Sequence, residues 1–246
     1  MWTGVHATQT NMNTERAFTV LELFLVAGMI AAVASVAMPV LDCLRLQGNR
    51  AHATNNFAEL ARGMSDYASD HDSALPAAGE PRPTWQSSQL PESADAWYNA
   101  IPRRLGRKGV ADLAGQPGAF YDKKNLLFIP AADYPGDKDE LPLFAVSMNA
   151  ELWGGKVSDG PVRLKTMRHE SRTVIFQESG VPGEKPLPGQ RALEYHGQSK
   201  SDAAHRRARY HGRILVSFGD GRVELFEPRE LVESKASGVR PDDRAQ

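Results

Sequence analysis

The sequence predicts an α+β protein: one long N-terminal helix, transmembrane then amphipathic, packed on a mostly antiparallel β-sheet head. Three observations carry this. Residues 18–41 are apolar almost without interruption. Residues 42–72 change to a three- and four-residue apolar rhythm. The last third holds short β-branched and aromatic runs divided by turn residues.

The apolar run is about 24 residues long and contains one charge, Glu22. A hydrocarbon core of roughly 30 Å needs about 20 helical residues. A carboxylate inside such a span is costly, which marks Glu22 as a functional candidate rather than a stray acid at the headgroup level. Pro39 removes a backbone donor within the span and predicts a kink. Residues 1–17 are polar, with Arg16 the only strong cation near the run, and read as a leader to be removed. The run is too long for the apolar region of an ordinary secretory signal, and no small-x-small site follows it.

Beyond the span, Phe57, Leu60, Ala61, Met64, Tyr67 and Ala68 recur on one helix face, with Glu59, Arg62, Ser65, Asp66 and Ser69 between them. Gly48 is a possible bend. The helix is expected to end between Ser69 and Asp72, ahead of Pro76. Residues 73–118 are rich in Pro, Gly, Ser and charge. They are expected to be loop, with a short helix between Ser93 and Leu105 carrying Trp97 and Tyr98. For Trp85, Trp97 and Tyr98, core packing is favoured over a ligand stack.

Strands are expected at Asn125–Ile129, Leu143–Met148, Val162–Leu164 and Thr173–Gln177. Ile214–Phe218 and Arg222–Phe226 flank Gly219-Asp220-Gly221, a hairpin signal in which Asp and Gly supply unusual backbone angles. The head is therefore expected over residues 73–232 and a polar, frayed tail over 233–246. At 41% hydrophobic, the roughly 200 residues after the span suffice for one domain with a core. A net charge of −1 gives no sign of nucleic-acid binding. The single cysteine, Cys43, excludes an intramolecular disulfide and reads as a small residue at the interface, with lipidation or a crosslink between neighbours as alternatives.

Arg16-Ala17-Phe18-Thr19-Val20-Leu21-Glu22 resembles the cleavage and methylation signature of type IV pilins and type II secretion pseudopilins. Glu22 is the fifth residue counted from Phe18 and Pro39 the twenty-second, both in register with that signature. Ala17 stands where most members have Gly. The resemblance implies a pilin-like fold and a cut between Ala17 and Phe18 by a prepilin peptidase. It also implies N-methylation of Phe18 and pairing of Glu22 with the Phe18 amine, in the same or a neighbouring subunit, to set register. The partners implied are other pilins or pseudopilins, met through the N-terminal helix, and an inner-membrane assembly platform. The implied location is a single-pass inner-membrane protein with its N-terminus cytoplasmic and its head periplasmic. A separate cytoplasmic motor would drive filament growth. No cofactor is implied.

A second resemblance covers His211 to Gly221. This segment is similar to a C-terminal His-to-Asp-Gly motif of a pseudopilin-like group abundant in planctomycete and verrucomicrobial genomes. Tyr67–Pro76 and Leu126–Pro130 are similar to two other segments of that group. Ile129 stands where Cys is commoner, and eight residues rather than nine separate His211 from Asp220. His211, Asp220 and Gly221 are therefore structural-motif candidates.

His211, Ser217 and Asp220 are the residue types of a hydrolase triad, but no Gly-x-Ser-x-Gly elbow surrounds the serine. A hairpin with a capping His and a turn Asp is favoured, and no catalytic role is expected. His196, His205 and His211 match no compact zinc spacing. Asp133, Asp137, Asp139 and Glu140 read as a solvated acidic loop rather than a calcium site. Arg206, Arg207 and Arg209, near Lys200 and Arg213, form the main cationic cluster. With only Tyr210 as an aromatic neighbour, a solvated loop is favoured over DNA binding. The alternative to a filament subunit is a membrane-tethered head that binds a ligand or catalyses and does not polymerise.

Overall fold

The computed structural model describes residues 19–137, 140–153, 162–167, 170–185 and 195–227. The expected leader with Ala17 and Phe18, the loop residue Asp139 and the expected tail lie outside the described residues. The chain divides into two units, Met1–Arg45 and Leu46–Gln246.

Helix α1 covers Val20–Asp70. In the first unit its side chains are almost all exposed, and its best 18-residue window has a mean hydropathy of 2.3 with no residue buried. It is long and apolar enough to cross a membrane. The helix continues through Pro39, which cannot donate to the Ser35 carbonyl.

In the second unit α1 buries Ala53, Asn56, Phe57, Leu60, Ala61, Gly63, Met64 and Ala68. This is the face the rhythm predicts, except that Tyr67 is half-buried, stacking on His71 at 3.8 Å between ring centroids. Glu59, expected in solvent, is half-buried and pairs with Arg107 at 2.6 Å. Gly48 faces open space, so packing does not require it. At Gly63 a Cβ would stand 2.7 Å from the Ile101 side chain, so glycine there permits the close approach of α2 (Trp97–Arg104). The helix ends in a turn in which the Ser73 N–H donates to the Ala68 carbonyl at 2.7 Å. Asp72 and Ser73 have φ of 50° and 64°, and the Asp72 carboxylate is held by Arg163 and Lys165. Those two cations keep its pKa below the usual range, the Lys165 bond first. A four-residue helix α3, Val110–Leu113, is tied to α2 by the bidentate Arg103–Asp112 pair at 2.9 and 2.7 Å.

Among the described residues five strands follow: β1 Val146–Asn149, β2 Val174–Glu178, β3 Lys200–Ser201, β4 Ile214–Phe218 and β5 Val223–Phe226. Their order is β3-β1-β2-β4-β5. β1–β2, β2–β4 and β4–β5 are antiparallel, and β1–β3 is parallel. The sheet is thus mixed; β3, two polar residues long, carries no periodicity a sequence reading could catch. The fold is α+β, with a long N-terminal apolar helix and a mixed five-strand sheet.

Two expected strands are absent. Leu126, Leu127 and Ile129 are buried and Asn125 and Phe128 half-buried, but residues 125–129 form a turn and irregular chain rather than a strand. Their polar groups are taken locally and by α1: Asn125 donates to the Phe120 carbonyl at 2.7 Å and accepts from the Leu127 N–H at 3.1 Å. From α1, Asn56 donates to the Phe128 carbonyl at 2.9 Å, and His52 contacts the Lys123 carbonyl at 2.8 Å. Asparagine bonded to its own backbone competes with a strand ladder. Near Val162–Leu164, among the described residues, one bridge forms, Arg163 to Ala74, before a 3-10 turn at Leu164–Thr166. The expected strand at Leu143–Met148 begins later, at Val146.

One core joins helix and sheet. Phe57, Leu60 and Met64 cluster with Trp97, Tyr98, Phe120, Leu127, Phe144 and Phe176. Trp97 lies 5.1 Å from Phe176 between ring centroids, and its indole N–H donates to the Ser199 carbonyl at 3.0 Å. Trp85, Trp97 and Tyr98 are all buried in this core. A second cluster holds Val174, Ile214, Val216 and Phe218. Leu60→Ala should lower unfolding free energy by about 2–5 kcal/mol in a urea titration of the detergent-solubilised chain. Leu90→Ala, at a half-exposed position, should change it by less than about 0.5 kcal/mol.

Candidate functional site

The first candidate is the start of α1. Thr19 precedes the first helical residue, so its position is the N-cap. Its hydroxyl accepts the Glu22 N–H at 3.2 Å, while the Glu22 carboxylate oxygen Oε2 accepts the Thr19 N–H at 2.9 Å and hydroxyl at 3.0 Å. This is a reciprocal capping box, in which two otherwise unpaired helix donors are satisfied. Glu22 is therefore held by its own chain before any partner arrives. The Thr-x-x-Glu spacing was the available signal for Thr19. Both residues are exposed, and exposed apolar side chains follow them: Leu21, Phe24, Ile30 and Val33 among others. Ala32, Val33, Val36, Ala37 and Val40 line a shallow apolar concavity on the helix. Cys43 is exposed.

The second candidate is the His211-to-Gly221 segment, and its geometry is that of two turns bracketing β4. His211 and Gly212 have φ of 52° and 80°, and the Arg213 N–H donates to the Tyr210 carbonyl at 3.1 Å. At the other end, the Gly221 N–H donates to the Phe218 carbonyl at 3.0 Å with Gly221 at φ 85°. Asp220 does not adopt a positive φ; its carboxylate accepts the Arg222 N–H at 3.1 Å instead. The unusual angles expected of Asp220 and glycine thus belong to His211, Gly212 and Gly221. The Arg222 guanidinium lies over the Phe218 ring, 4.3 Å from its centroid. His211 and Asp220 sit at opposite ends of a five-residue strand, and Ser217 is buried within it. The strand length, roughly 16 Å, separates His211 from Asp220.

The cationic cluster is the largest correction. Arg206 and the Arg209 side chain are buried, not solvated. The Arg206 Nε donates to the Gln177 Oε1 at 2.6 Å. Arg209 donates to Glu184 at 3.1 and 2.6 Å and to the Ser179 carbonyl at 2.8 Å. A second carboxylate, Glu178, stands 3.6 Å from Arg209 Nη1, too far for a hydrogen bond, and accepts the Leu215 N–H at 3.0 Å. Burial pushes the Glu178 carboxyl up to about 7, against the opposing pull of the Arg209 charge. Burial works against the charge on Arg209, but Glu184 and Glu178 outweigh it and raise its pKa. Burial likewise raises the Tyr134 and Tyr210 hydroxyls. These buried cations offer little to a phosphate backbone. A run of arginines reads as surface because Arg is rarely buried unless paired; Glu178 and Glu184, the pairs, are distant in sequence.

Within the acidic loop, the Asp133 N–H donates to the Glu184 carboxylate at 3.2 Å, and Tyr134 stacks on Phe128. Among the described residues no three His, Cys, Asp or Glu side chains gather as metal ligands. His205 contacts Asp202 at 2.8 Å. Comparison with protein-family models, curated proteins and solved structures finds no match for the chain.

His211→Val should cost about 1–2 kcal/mol in a denaturant titration, because a β-branched residue resists positive φ. His211→Asn should be nearly neutral by the same measurement, since Asn tolerates that region.

Proposed function

We propose that this chain is a pilin-like or pseudopilin subunit, cut by a prepilin peptidase between Ala17 and Phe18 and assembled into a filament of the type II secretion or type IV pilus kind. The observation that carries the reading is the carboxylate of Glu22 at the first turn of an apolar helix whose membrane-length window is wholly exposed. Such a surface must be covered by lipid or by like helices. Helices without a water-driven hydrophobic force associate through close packing and polar contacts. Alanines and glycine at 27, 28, 31, 32, 34 and 37 supply small packing positions along the span. Glu22 keeps one carboxylate oxygen outside the capping box, and in this reading it meets the Phe18 amine of a neighbouring subunit. The pair would then share the desolvation cost that a lone carboxylate would carry. The head needs no chemistry of its own.

The deciding measurement is the mass and N-terminal sequence of the protein from membranes with and without prepilin peptidase. A mature chain starting at methylated Phe18 only when the peptidase is present supports the proposal. A chain intact from Met1 in both strains overturns it in favour of a tethered head that does not polymerise. In the same cells Glu22→Ala should be processed normally but absent from sheared filaments. Single cysteines placed along residues 18–41 should crosslink subunit to subunit, whereas a non-polymerising anchor would give no ladder.

A further inference from the structure

The buried charges at the end of β2 have no part in filament assembly as proposed above, and their arrangement is unbalanced. One guanidinium, Arg209, faces two carboxylates. Its Nε and Nη2 are committed to Glu184 and to the Ser179 carbonyl, leaving Glu178 only the 3.6 Å approach of Nη1. The Glu178 Oε1 makes no close hydrogen bond; its polar neighbours are Arg209 Nη1 and the Tyr210 hydroxyl, and the side chain is fully buried. With both carboxylates ionised, the cluster holds a net negative charge away from water, which is expensive. With Glu178 neutral, the cluster balances.

Besides the Arg206–Gln177 bond and the Arg209 contacts, the segments that meet here are tied by a few backbone bonds. The Arg207 N–H donates to the Glu178 carbonyl at 3.3 Å, and the Gly180 N–H to the His205 carbonyl at 2.9 Å. Ser179 and Arg206 form a single bridge. Among the described residues, the titratable groups acting on Glu178 are Arg209 and Tyr210 from residues 205–213 and Glu184 from the turn after β2; Tyr134, from the acidic loop, acts on Arg209 and Tyr210, and His205 begins the same segment. From β4, the Leu215 N–H donates to its Oε2.

We propose that Glu178 is a proton-controlled latch in the head: neutral, it clamps residues 205–215 against the end of β2, and loss of its proton loosens that clamp. The sign follows from the cluster. Opening places the carboxyl in water with its ordinary acidity, near 4.5, whereas burial in the closed form raises it to about 7. Between those values the closed form holds the extra proton. Its advantage therefore falls as pH rises through that window and levels off above it. The latch is tightest in acid.

The test is hydrogen exchange with mass spectrometry on the full chain in detergent at pH 5 and pH 7.5, corrected for intrinsic exchange rates. Protection of residues 205–215 should fall at least about tenfold at the higher pH, while α2 is unchanged. Glu178→Gln, neutral at every pH, should abolish the difference, which separates Glu178 from the nearby His205. Equal protection at both pH values in the unmodified chain, or an undiminished fall in Glu178→Gln, would overturn the latch. If Glu178→Gln does not fold, Glu184→Gln decides. Freeing Arg209 for Glu178 should move the transition to lower pH, and an unmoved transition sinks the proposal.

Discussion

The head depends on one face of α1 having something to cover. Phe57, Leu60 and Met64 are fully or almost fully buried, and they share a core with the aromatic residues Trp97, Phe144 and Phe176. Such packing supplies most of what holds a helix in place, since intrinsic propensity alone is marginal. The approach is close enough to require glycine at position 63 against Ile101 and Leu105. Polar residues on the same helix do a second task. Asn56 takes the Asn125 and Phe128 carbonyls and His52 the Lys123 carbonyl, holding out of a ladder a segment whose composition favours a strand. One helix therefore sets both the core and the loop beside it.

Charge is handled in two opposite ways. On the surface, Arg103–Asp112 and Arg107–Glu59 join neighbouring elements at modest gain, because exposed pairs are screened and lose side-chain freedom. Inside, Arg209 and Glu184 are both nearly inaccessible and bond at two points. Removing Arg209 would leave two buried carboxylates without a cation, which is far costlier than losing a surface pair. Glu178 is the exception within the exception, a third ionisable group without a full partner. Its position at the end of β2 places that imbalance where three segments converge.

The helix start has a different logic. Thr19 and Glu22 satisfy each other's backbone groups, so the carboxylate has a structural task even in an isolated subunit. The same oxygen arrangement fixes where the carboxylate points. A partner cation would thus meet a group that is already ordered and would need to order less on binding.

Much of this was legible in the sequence. The apolar run, the amphipathic face from Phe57 to Ala68, the helix at Trp97 and the β4–β5 hairpin all follow from local periodicity and turn chemistry, which depend on neighbours in the chain. The Thr19–Glu22 box was equally local and was there to be read. What the sequence could not settle needed partners distant in the chain. Residues 125–129 lost their strand to side chains some 70 positions away. β3 exists only because β1 offers it a parallel edge. The arginines at 206 and 209 are interior because Gln177 and Glu184 wait for them there. Apolar pattern and turn residues are written along the chain, whereas desolvation of a charge is decided by what surrounds it, and only the tertiary structure brings those groups together.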